Sequence, residues 1–280
     1  MSQKVAIVTG GNKGIGYAIV KGLCEKYKGK VYLTSRDEGR GKAAVASLKA
    51  LGLNPSFYQL DIDDQSSVDK FRDYIKENYS SIDVLINNAA IAFKTEATEP
   101  FALQAEVTIN TNYFGTLRVL EALIPLLGQD ARIVNVSSSA GHLSRIPSDE
   151  LKKKFRDPNL TVEELNTLMK EFVRSTKEGL DVSTTWGNST YVVSKVGVSA
   201  LSRVHQKMLD NEVPSRNIYV NSVHPGYVDT DMTSHKGPLT IEEGAVGPLF
   251  LALESHGLKG QYVWKDCSVI DWLAPKAPAV

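Results

Sequence analysis

Short apolar runs alternate with longer amphipathic stretches along most of the chain. The apolar runs predict strands over residues 5–8, 30–35, 56–61, 83–88, 132–137 and 218–224. Helical spacing predicts helices from residue 17 onward and over residues 37–51, 66–79, 104–127 and 189–211. Strands separated by helices imply parallel pairing with right-handed crossovers. The pattern therefore predicts an α/β fold, a single domain whose doubly wound parallel sheet is flanked by helices.

Composition and charge narrow the class of protein. The 280 residues are 42% hydrophobic and 23% charged, and 32 basic side chains balance 32 acidic ones. No overall field favours nucleic acid or an anionic membrane, so neither is expected as a partner. The two cysteines form no C-x-x-C pair, and the five histidines show no metal-ligand spacing. No apolar run reaches the length of a membrane span. We expect a cytoplasmic protein without a metal.

The first predicted strand runs into a turn that contains Gly10, Gly14 and Gly16. Glycines let a backbone approach a pyrophosphate closely, and the following helix N-terminus offers free N–H groups and a positive dipole end. The turn therefore predicts a dinucleotide site. The alternative is a tight strand-to-helix turn that binds nothing, because a glycine motif alone is weakly specific.

Basic side chains follow the second predicted strand, where an NAD-dependent protein usually has an acid. Arg36 comes directly after the strand, Arg40 follows one helical turn later, and Lys13 lies within the glycine turn. Arginine binds a phosphate with two parallel hydrogen bonds, which favours NADP(H) with its 2′-phosphate. Asp37 is the one nearby acid, and its position also suits a helix cap. The alternative for Arg36 is a solvated side chain beside a helix start.

Tyr191 and Lys195 are the main candidates for chemistry. At positions i and i+4 of a predicted helix, the phenol and the ammonium share one face. A nearby cation favours the phenolate, so we expect Lys195 to lower the pKa of Tyr191. Such a phenol is suited to protonate a carbonyl oxygen. Tyr17 and Lys21 have the same spacing without the serine and amide context, and we interpret that copy as coincidence.

The chain resembles the short-chain dehydrogenase/reductase family through motifs that occur in order between Thr9 and Thr230. They are the glycine turn of residues 9–16, Asn-Asn-Ala-Ala at 87–90, the serines at 137–139, the Tyr191 motif, and the Pro-Gly turn at 225–226. Residues 10–16, 87–93, 104–108 and 230–232 resemble its subgroup of monomeric NADPH-dependent carbonyl reductases. The resemblance implies a Rossmann-like fold that binds NADP(H). Ala90 departs from the usual glycine.

The resemblance also implies roles for individual residues. Ser138, rather than Ser137 or Ser139, would hold the substrate oxygen, and Asn112, rather than Asn110, would hold a water for proton relay. Residues implied to contact the cofactor are Gly10, Asn12, Lys13, Gly14, Ile15, Gly16, Arg36, Arg40, Asp61, Ile62, Asn88, Tyr191, Lys195, Val228 and Thr230.

Ser138 and Tyr191 are 53 positions apart, which is roughly 40 more than in most of the family. Within this excursion Thr161 and Glu164 form a capping box that predicts a helix through Lys177, and residues 150–155 are predicted to be helical. We expect a helical insertion over about residues 142–188. Resemblance to the monomeric subgroup implies that this insertion covers the face used for oligomers, which predicts a monomer.

Apolar and aromatic side chains are the candidates for the substrate site: Phe93, Ile146, Trp186, Tyr227 and Met232. Each of them is equally suited to a core position. The sequence predicts NADPH-dependent reduction of ketones, quinones or aldehydes to alcohols, with Tyr191 as the general acid. Two alternatives stay open: an alcohol, steroid or prostaglandin dehydrogenase that works in oxidation, and a non-catalytic protein that senses NADP(H).

Overall fold

A computed structural model describes residues 4–94, 96–254 and 257–279 of the chain. Eight strands form one sheet in the order β3-β2-β1-β4-β5-β6-β7-β8. All neighbouring pairs are parallel except β7 and β8, which form an antiparallel pair. The strands are β1 (Val5–Val8), β2 (Lys30–Ser35), β3 (Ser56–Gln59), β4 (Ile82–Asn87), β5 (Leu127–Val136), β6 (Tyr219–Val223), β7 (Tyr262–Val263) and β8 (Val269–Ile270).

Helices cover both faces of the sheet, and each face has its own apolar core. None of the described helices is long and apolar enough to cross a membrane. The α-helices are α1 (Gly14–Lys26), α2 (Glu38–Ala50), α3 (Gln65–Asn78), α4 (Phe101–Ile109), α5 (Thr116–Leu123), α6 (Asp149–Arg156), α7 (Val162–Lys177), α8 (Thr190–Asp210) and α9 (Ile241–Leu253). The predicted doubly wound α/β architecture is confirmed.

The helix predicted over residues 104–127 differs most from expectation. It begins three residues earlier, at Phe101, and a π-helix (Asn110–Gly115) separates α4 from α5. At the start of this π-helix, the Asp63 carboxylate accepts hydrogen bonds from Asn110 Nδ2 at 3.1 Å and from Thr111 Oγ1 at 2.7 Å. The helix also ends at Leu123, because β5 starts at Leu127, five residues before its predicted start.

The excursion between Ser138 and Tyr191 forms α6 and α7, which agrees with the two predicted helices. Thr161 and Glu164 form the capping box that opens α7. The α7 helix packs against both α4 and α8. Its Phe172 ring lies 6.4 Å from that of Phe101 in α4, and its Asn166 accepts a 2.8 Å hydrogen bond from the Tyr113 hydroxyl. The outer faces of α4 and α8 are therefore partly covered by the chain itself.

Candidate active site

The glycine turn after β1 has the shape of an anion cradle. Gly10 and Gly14 have φ angles of +64° and +55°, and a Cβ on Gly16 would lie 2.2 Å from the Gly10 carbonyl oxygen. Each of these positions therefore requires glycine. The α1 helix begins at Gly14, and no side chain caps its N-terminus. Its first N–H groups therefore lie at the turn without a hydrogen bond to a capping side chain. These features fit the pyrophosphate of a dinucleotide.

Asn88 fixes this turn from the end of β4. Its Nδ2 donates to the carbonyl oxygens of Thr9 at 3.0 Å and Gly10 at 3.1 Å. Its main-chain N–H donates to Thr9 Oγ1. Both amide hydrogens are therefore used inside the protein, and the amide nitrogen has no hydrogen left to donate to a cofactor. The side-chain oxygen of Asn88 takes part in none of these hydrogen bonds.

The basic residues predicted to bind the 2′-phosphate differ in whether their charges are already paired with a carboxylate. Arg36 is exposed, and within the described residues its guanidinium has no ion pair. Asp37 caps α2 by accepting from the Arg40 N–H at 2.7 Å, which settles its role as a helix cap. The Arg40 guanidinium lies 3.3 Å from the same carboxylate. Lys13 Nζ lies 2.6 Å from Asp231 Oδ2. Arg36 is thus the most available charge for a phosphate.

Asp61 and Ile62 follow β3 at the predicted adenine end. The Asp61 carboxylate is half-buried and accepts a 3.0 Å hydrogen bond from the Asp63 N–H. Ile62 is buried in the core, and its side chain fills the space beside Gly115, where an added Cβ would meet Ile62 Cδ1 at 2.9 Å. Ile62 therefore packs mainly on the π-helix, and its side chain has little surface left for an adenine ring.

Ser138, Tyr191 and Lys195 meet at the carboxyl edge of the sheet. Ser138 follows β5, while Tyr191 and Lys195 lie one turn apart at the start of α8. The Lys195 ammonium lies 5.7 Å from the centre of the Tyr191 ring and donates to the Val136 carbonyl at 2.8 Å. Ser137, the rival serine, is buried and bonds Ser199 Oγ at 2.7 Å. The geometry thus favours Ser138 as the serine that faces Tyr191.

Burial dominates the acidities in this cluster. It raises the pKa of the Tyr191 hydroxyl, and a hydrogen bond with the Ser138 side chain partly opposes that rise. It lowers the pKa of the Lys195 ammonium to about 8. The pKa of Tyr191 therefore moves in the direction opposite to the one the sequence suggested. The reason is that desolvation disfavours the phenolate, and the Lys195 ammonium, which is bonded to a carbonyl and lies 5.7 Å from the ring centre, does not offset this.

Asn112 lies in the π-helix and is fully engaged by the protein. Its Oδ1 accepts from the Ile91 N–H at 2.8 Å, and its Nδ2 donates to the Ile91 carbonyl and to Ser194 Oγ. The side chain therefore fixes the loop after β4 to α8, and it has no N–H left for a water. Asn110 faces Asp63 and Arg118 instead, which agrees with its rejection as the candidate.

The loop after β6 lies against the glycine turn. A Cβ on Gly14 would lie 3.3 Å from Thr230 Cγ2. Val228 is buried and its carbonyl accepts from Thr233 Oγ1 at 2.6 Å, while Thr230 caps the short turn that follows. The structure therefore brings Val228 and Thr230 beside the cradle, as the family resemblance implies.

The five predicted apolar substrate residues do not all reach the surface, and Ile146 is fully buried in the core. Phe93 is half-buried after β4, and Tyr227 and Met232 are 42% and 41% exposed on the loop after β6. Trp186 differs from expectation, because its ring lies in the interior, 5.5 Å from that of Phe172 and 6.3 Å from that of Phe155. It packs against α6 and α7 within the insertion, and at 3% exposure it offers no surface to a substrate.

Two aromatic residues that sequence analysis missed support the Ser138 turn. The Tyr262 hydroxyl donates to the Ser138 carbonyl at 2.5 Å, and Trp272 Nε1 donates to the Gly141 carbonyl at 2.6 Å. No local motif marks either residue, because each contact joins positions more than 120 apart in sequence. The described residues contain no group of three or more His, Cys, Asp or Glu side chains placed to hold a metal ion.

Comparison with known proteins agrees with this geometry. The family model for short chain dehydrogenase matches residues 4–148 and 179–238. The chain belongs to this family. The unmatched residues between the two segments include all of α6 and α7.

Curated relatives cover nearly the whole chain. Carbonyl reductase [NADPH] 1 of Bos taurus is 46% identical over 97% of this chain and 99% of its own length. The Homo sapiens protein of the same name is 48% identical over 92% and 95% of the two chains. The structure of salutaridine reductase from Papaver somniferum is 32% identical, covers 95% of this chain and 100% of its own, and superposes with a TM-score of 0.84.

Proposed function

We propose that this protein reduces carbonyl compounds (ketones, quinones or aldehydes) to alcohols with NADPH, and that Tyr191 is the general acid. The observation that carries the proposal is the meeting of Tyr191, Ser138 and Lys195 at the carboxyl edge of the sheet, the edge at which the glycine turn also lies. The relatives' name, Carbonyl reductase [NADPH] 1, supports both the reaction and the cofactor. A protein that only senses NADP(H) needs the cradle but has no use for these three side chains.

The cofactor is proposed to lie across the glycine turn. Gly10, Gly14, Gly16 and the α1 N-terminus suit the pyrophosphate, and Arg36 suits the 2′-phosphate, with Arg40 and Lys13 beside it. When bound, NADPH supplies the hydride that reaches the carbonyl carbon. The other residues proposed to line its site are Asn12, Ile15, Asp61, Ile62, Asn88, Val228 and Thr230.

Tyr191 and Ser138 act on the carbonyl oxygen in this proposal. The raised pKa of Tyr191 keeps its hydroxyl protonated at neutral pH, so that a proton is available for the oxygen. The Ser138 hydroxyl donates to the same oxygen and stabilises the negative charge that develops there. Lys195, with a pKa of about 8, is mostly an ammonium at pH 7, and its charge stabilises the phenolate left after proton transfer.

Asn112 contributes through position. It ties the loop after β4 to Ser194, one residue before Lys195, and so keeps that loop beside the catalytic turn of α8. With both amide hydrogens used, a proton relay past Asn112 would depend on its main-chain or side-chain oxygen.

The substrate is proposed to enter between the loops after β4 and β6. Phe93, Tyr227 and Met232 supply apolar and aromatic surface there, which suits carbonyl compounds of some bulk.

The decisive experiment measures NADPH consumption with a panel of diketones, quinones and aromatic aldehydes. We expect Tyr191→Phe to lose nearly all turnover while it still binds NADPH. Tyr17→Phe is the matched control, because Tyr17 has the same spacing to a lysine but bonds Ser47 on the helix surface. Wild-type turnover in Tyr191→Phe would overturn the proposed acid, and NADPH binding without turnover on any carbonyl would favour the sensing alternative.

We further propose a monomer in the cytoplasm. The α7 helix covers α4 through the Phe101–Phe172 contact and a 2.6 Å ion pair between Lys177 and Glu106, and it also packs against α8. Cys24 and Cys267 are free thiols, which fits a reducing compartment. Light scattering should give a mass of 30.6 kDa, and twice or four times that value would reject the monomer.

A further inference from the structure

The Ser138 turn is fixed from behind by the segment of residues 262–272. Tyr262 in β7 is 2% exposed, and its hydroxyl donates to the Ser138 carbonyl oxygen. Burial raises its pKa, so the hydroxyl stays a donor over the whole working range. The same oxygen also accepts a hydrogen bond from the Gly141 N–H at 2.8 Å, which closes the turn.

The same segment fixes the other end of the turn. Trp272 Nε1 donates to the Gly141 carbonyl, and His142 Nε2 lies 3.0 Å from the Asp271 carbonyl oxygen. The Arg203 guanidinium of α8 lies over the Trp272 ring at 5.6 Å, so the segment also touches the helix that carries Tyr191. The main-chain carbonyls of residues 138 and 141 and the side chain of His142 are therefore all bonded to this segment.

The turn needs such support, because it is short. Ser139–Gly141 is a single 3₁₀ turn, whose hydrogen-bond geometry is intrinsically poor. Apart from its contact with Tyr191, the Ser138 hydroxyl oxygen has one protein partner, the Ala140 N–H at 3.2 Å, which belongs to the same turn. The direction of the Ser138 hydroxyl thus depends on where the main chain of the turn is fixed.

We propose that Tyr262 is a positioning residue for carbonyl reduction: its hydroxyl fixes the Ser138 main chain and thereby directs the Ser138 hydroxyl at the substrate oxygen beside Tyr191. Trp272 does the same at Gly141. The inference rests on the proposed function. Tyr262 itself touches neither substrate nor cofactor in this role, and it acts only through Ser138.

Tyr262→Phe removes the hydroxyl and keeps the ring. We expect kcat to fall roughly tenfold, since a displacement of about 1 Å at a reacting group costs up to ~100-fold. The KM for NADPH should stay within about twofold, because the glycine turn is not touched. Tyr32→Phe is the matched control: Tyr32 is equally buried in a strand and loses hydrogen bonds to Tyr74 and Tyr79, far from Ser138. Its kcat should be that of the wild type.

A double-mutant cycle separates positioning from a general loss of stability. In a Ser138→Ala background, Tyr262→Phe should cause no further loss of kcat, because the group it directs is gone. Trp272→Phe is tested in the same way and should also cause no further loss of kcat in the Ser138→Ala background. The test therefore does not depend on the folding of one variant. A second tenfold loss in the Ser138→Ala background, or a Tyr262→Phe enzyme equal to Tyr32→Phe, would overturn the inference.

The outcomes also separate this inference from the proposed function. Wild-type turnover in Ser138→Ala would remove the role of Ser138 in the reaction, and this inference with it. A slow Ser138→Ala enzyme combined with a fully active Tyr262→Phe enzyme would overturn the positioning role alone.

Discussion

The Lys13 ammonium lies 2.6 Å from the Asp231 carboxylate and joins the glycine turn to the loop after β6. His235 lies 3.2 Å from Asp231 and 2.6 Å from Asp229 on the same loop, and both acids raise its pKa. Lys13 and Asp231 are both largely exposed, so the pair contributes little to stability. In the proposed binding mode Lys13 lies near the 2′-phosphate of NADPH, so Asp231 would compete with that phosphate for the Lys13 ammonium.

Removal of this competition should strengthen cofactor binding. We expect Asp231→Asn to lower the Kd for NADPH about twofold to fivefold at low salt, with a smaller change for NADH, because an exposed ion pair contributes at most ~1 kcal/mol. Asp229→Asn is the matched control, since Asp229 pairs with His235 and not with Lys13. Fluorescence titration measures both constants. Weaker NADPH binding in Asp231→Asn would mean that the pair serves mainly to hold the loop.

Arg36 should decide between the two nicotinamide cofactors. We expect Arg36→Ala to lower kcat/KM for NADPH by about 10- to 100-fold and to leave kcat/KM for NADH nearly unchanged, because only NADPH carries the 2′-phosphate that a guanidinium binds. Arg72→Ala, which removes another surface arginine that is paired with Asp69 and Asp73, is the control. Equal efficiency of NADH and NADPH in the wild-type enzyme would contradict this role of Arg36.

The activity should depend on pH through Lys195. Its pKa of about 8 means that the ammonium predominates below that pH and is lost above it. We therefore expect kcat/KM for reduction to be level below about pH 8 and to fall with a slope of one above it. Lys195→Arg keeps a charge at all these pH values, so its residual activity should lack this fall. Lys21→Arg, from the unrelated Tyr17 copy, should keep it, and a level wild-type profile up to pH 10 would contradict the prediction.

His205 should make the fold sensitive to acid. It is 2% exposed in α8, and burial lowers its pKa to about 4 from an ordinary value of 6.5. Between these two values the unfolded chain binds a proton that the folded protein does not, so stability falls as the pH drops from 6.5 towards 4. From pH 7 to pH 5 the free energy of unfolding should decrease by about 2 kcal/mol through this group alone.

Urea denaturation at both pH values tests this. The difference in the free energy of unfolding between pH 7 and pH 5 should be smaller in His205→Gln than in the wild type. It should not shrink in His235→Gln, because the pKa of the exposed His235 is raised rather than lowered. The same pH dependence in His205→Gln and in the wild type would contradict the prediction.

The sequence predicts those elements whose signals are local. β1 and β2 lie where their apolar runs place them, Thr161 caps α7 through the predicted capping box, and Asp37 takes the helix-cap position that its place in the sequence also suited. The π-helix was not predictable, because it depends on contacts of Asp63 with residues 47 and 48 positions away. The weak patterns of α9, β7 and β8 gave no prediction at all.

The residues of the candidate site also divide into those that local sequence signals predict and those that depend on the whole fold. The i, i+4 spacing of Tyr191 and Lys195 fixes their common face, and Ser138 follows a strand that ends at the same sheet edge. Burial, which sets the pKa of Tyr191, depends on the whole fold and is not visible in the local sequence. Trp186 shows the limit for apolar residues, because an aromatic side chain before α8 is equally suited to a pocket and to the core.

The bond between Tyr262 and Ser138 spans 124 positions of the chain. During synthesis, the serine, the tyrosine and the lysine of the catalytic cluster leave the ribosome well before β7 does. If the positioning role holds, a nascent chain of some 250 residues binds its cofactor before it can turn over a substrate. Proteolytic loss of the segment after α9 would silence the enzyme and leave its nucleotide cradle intact.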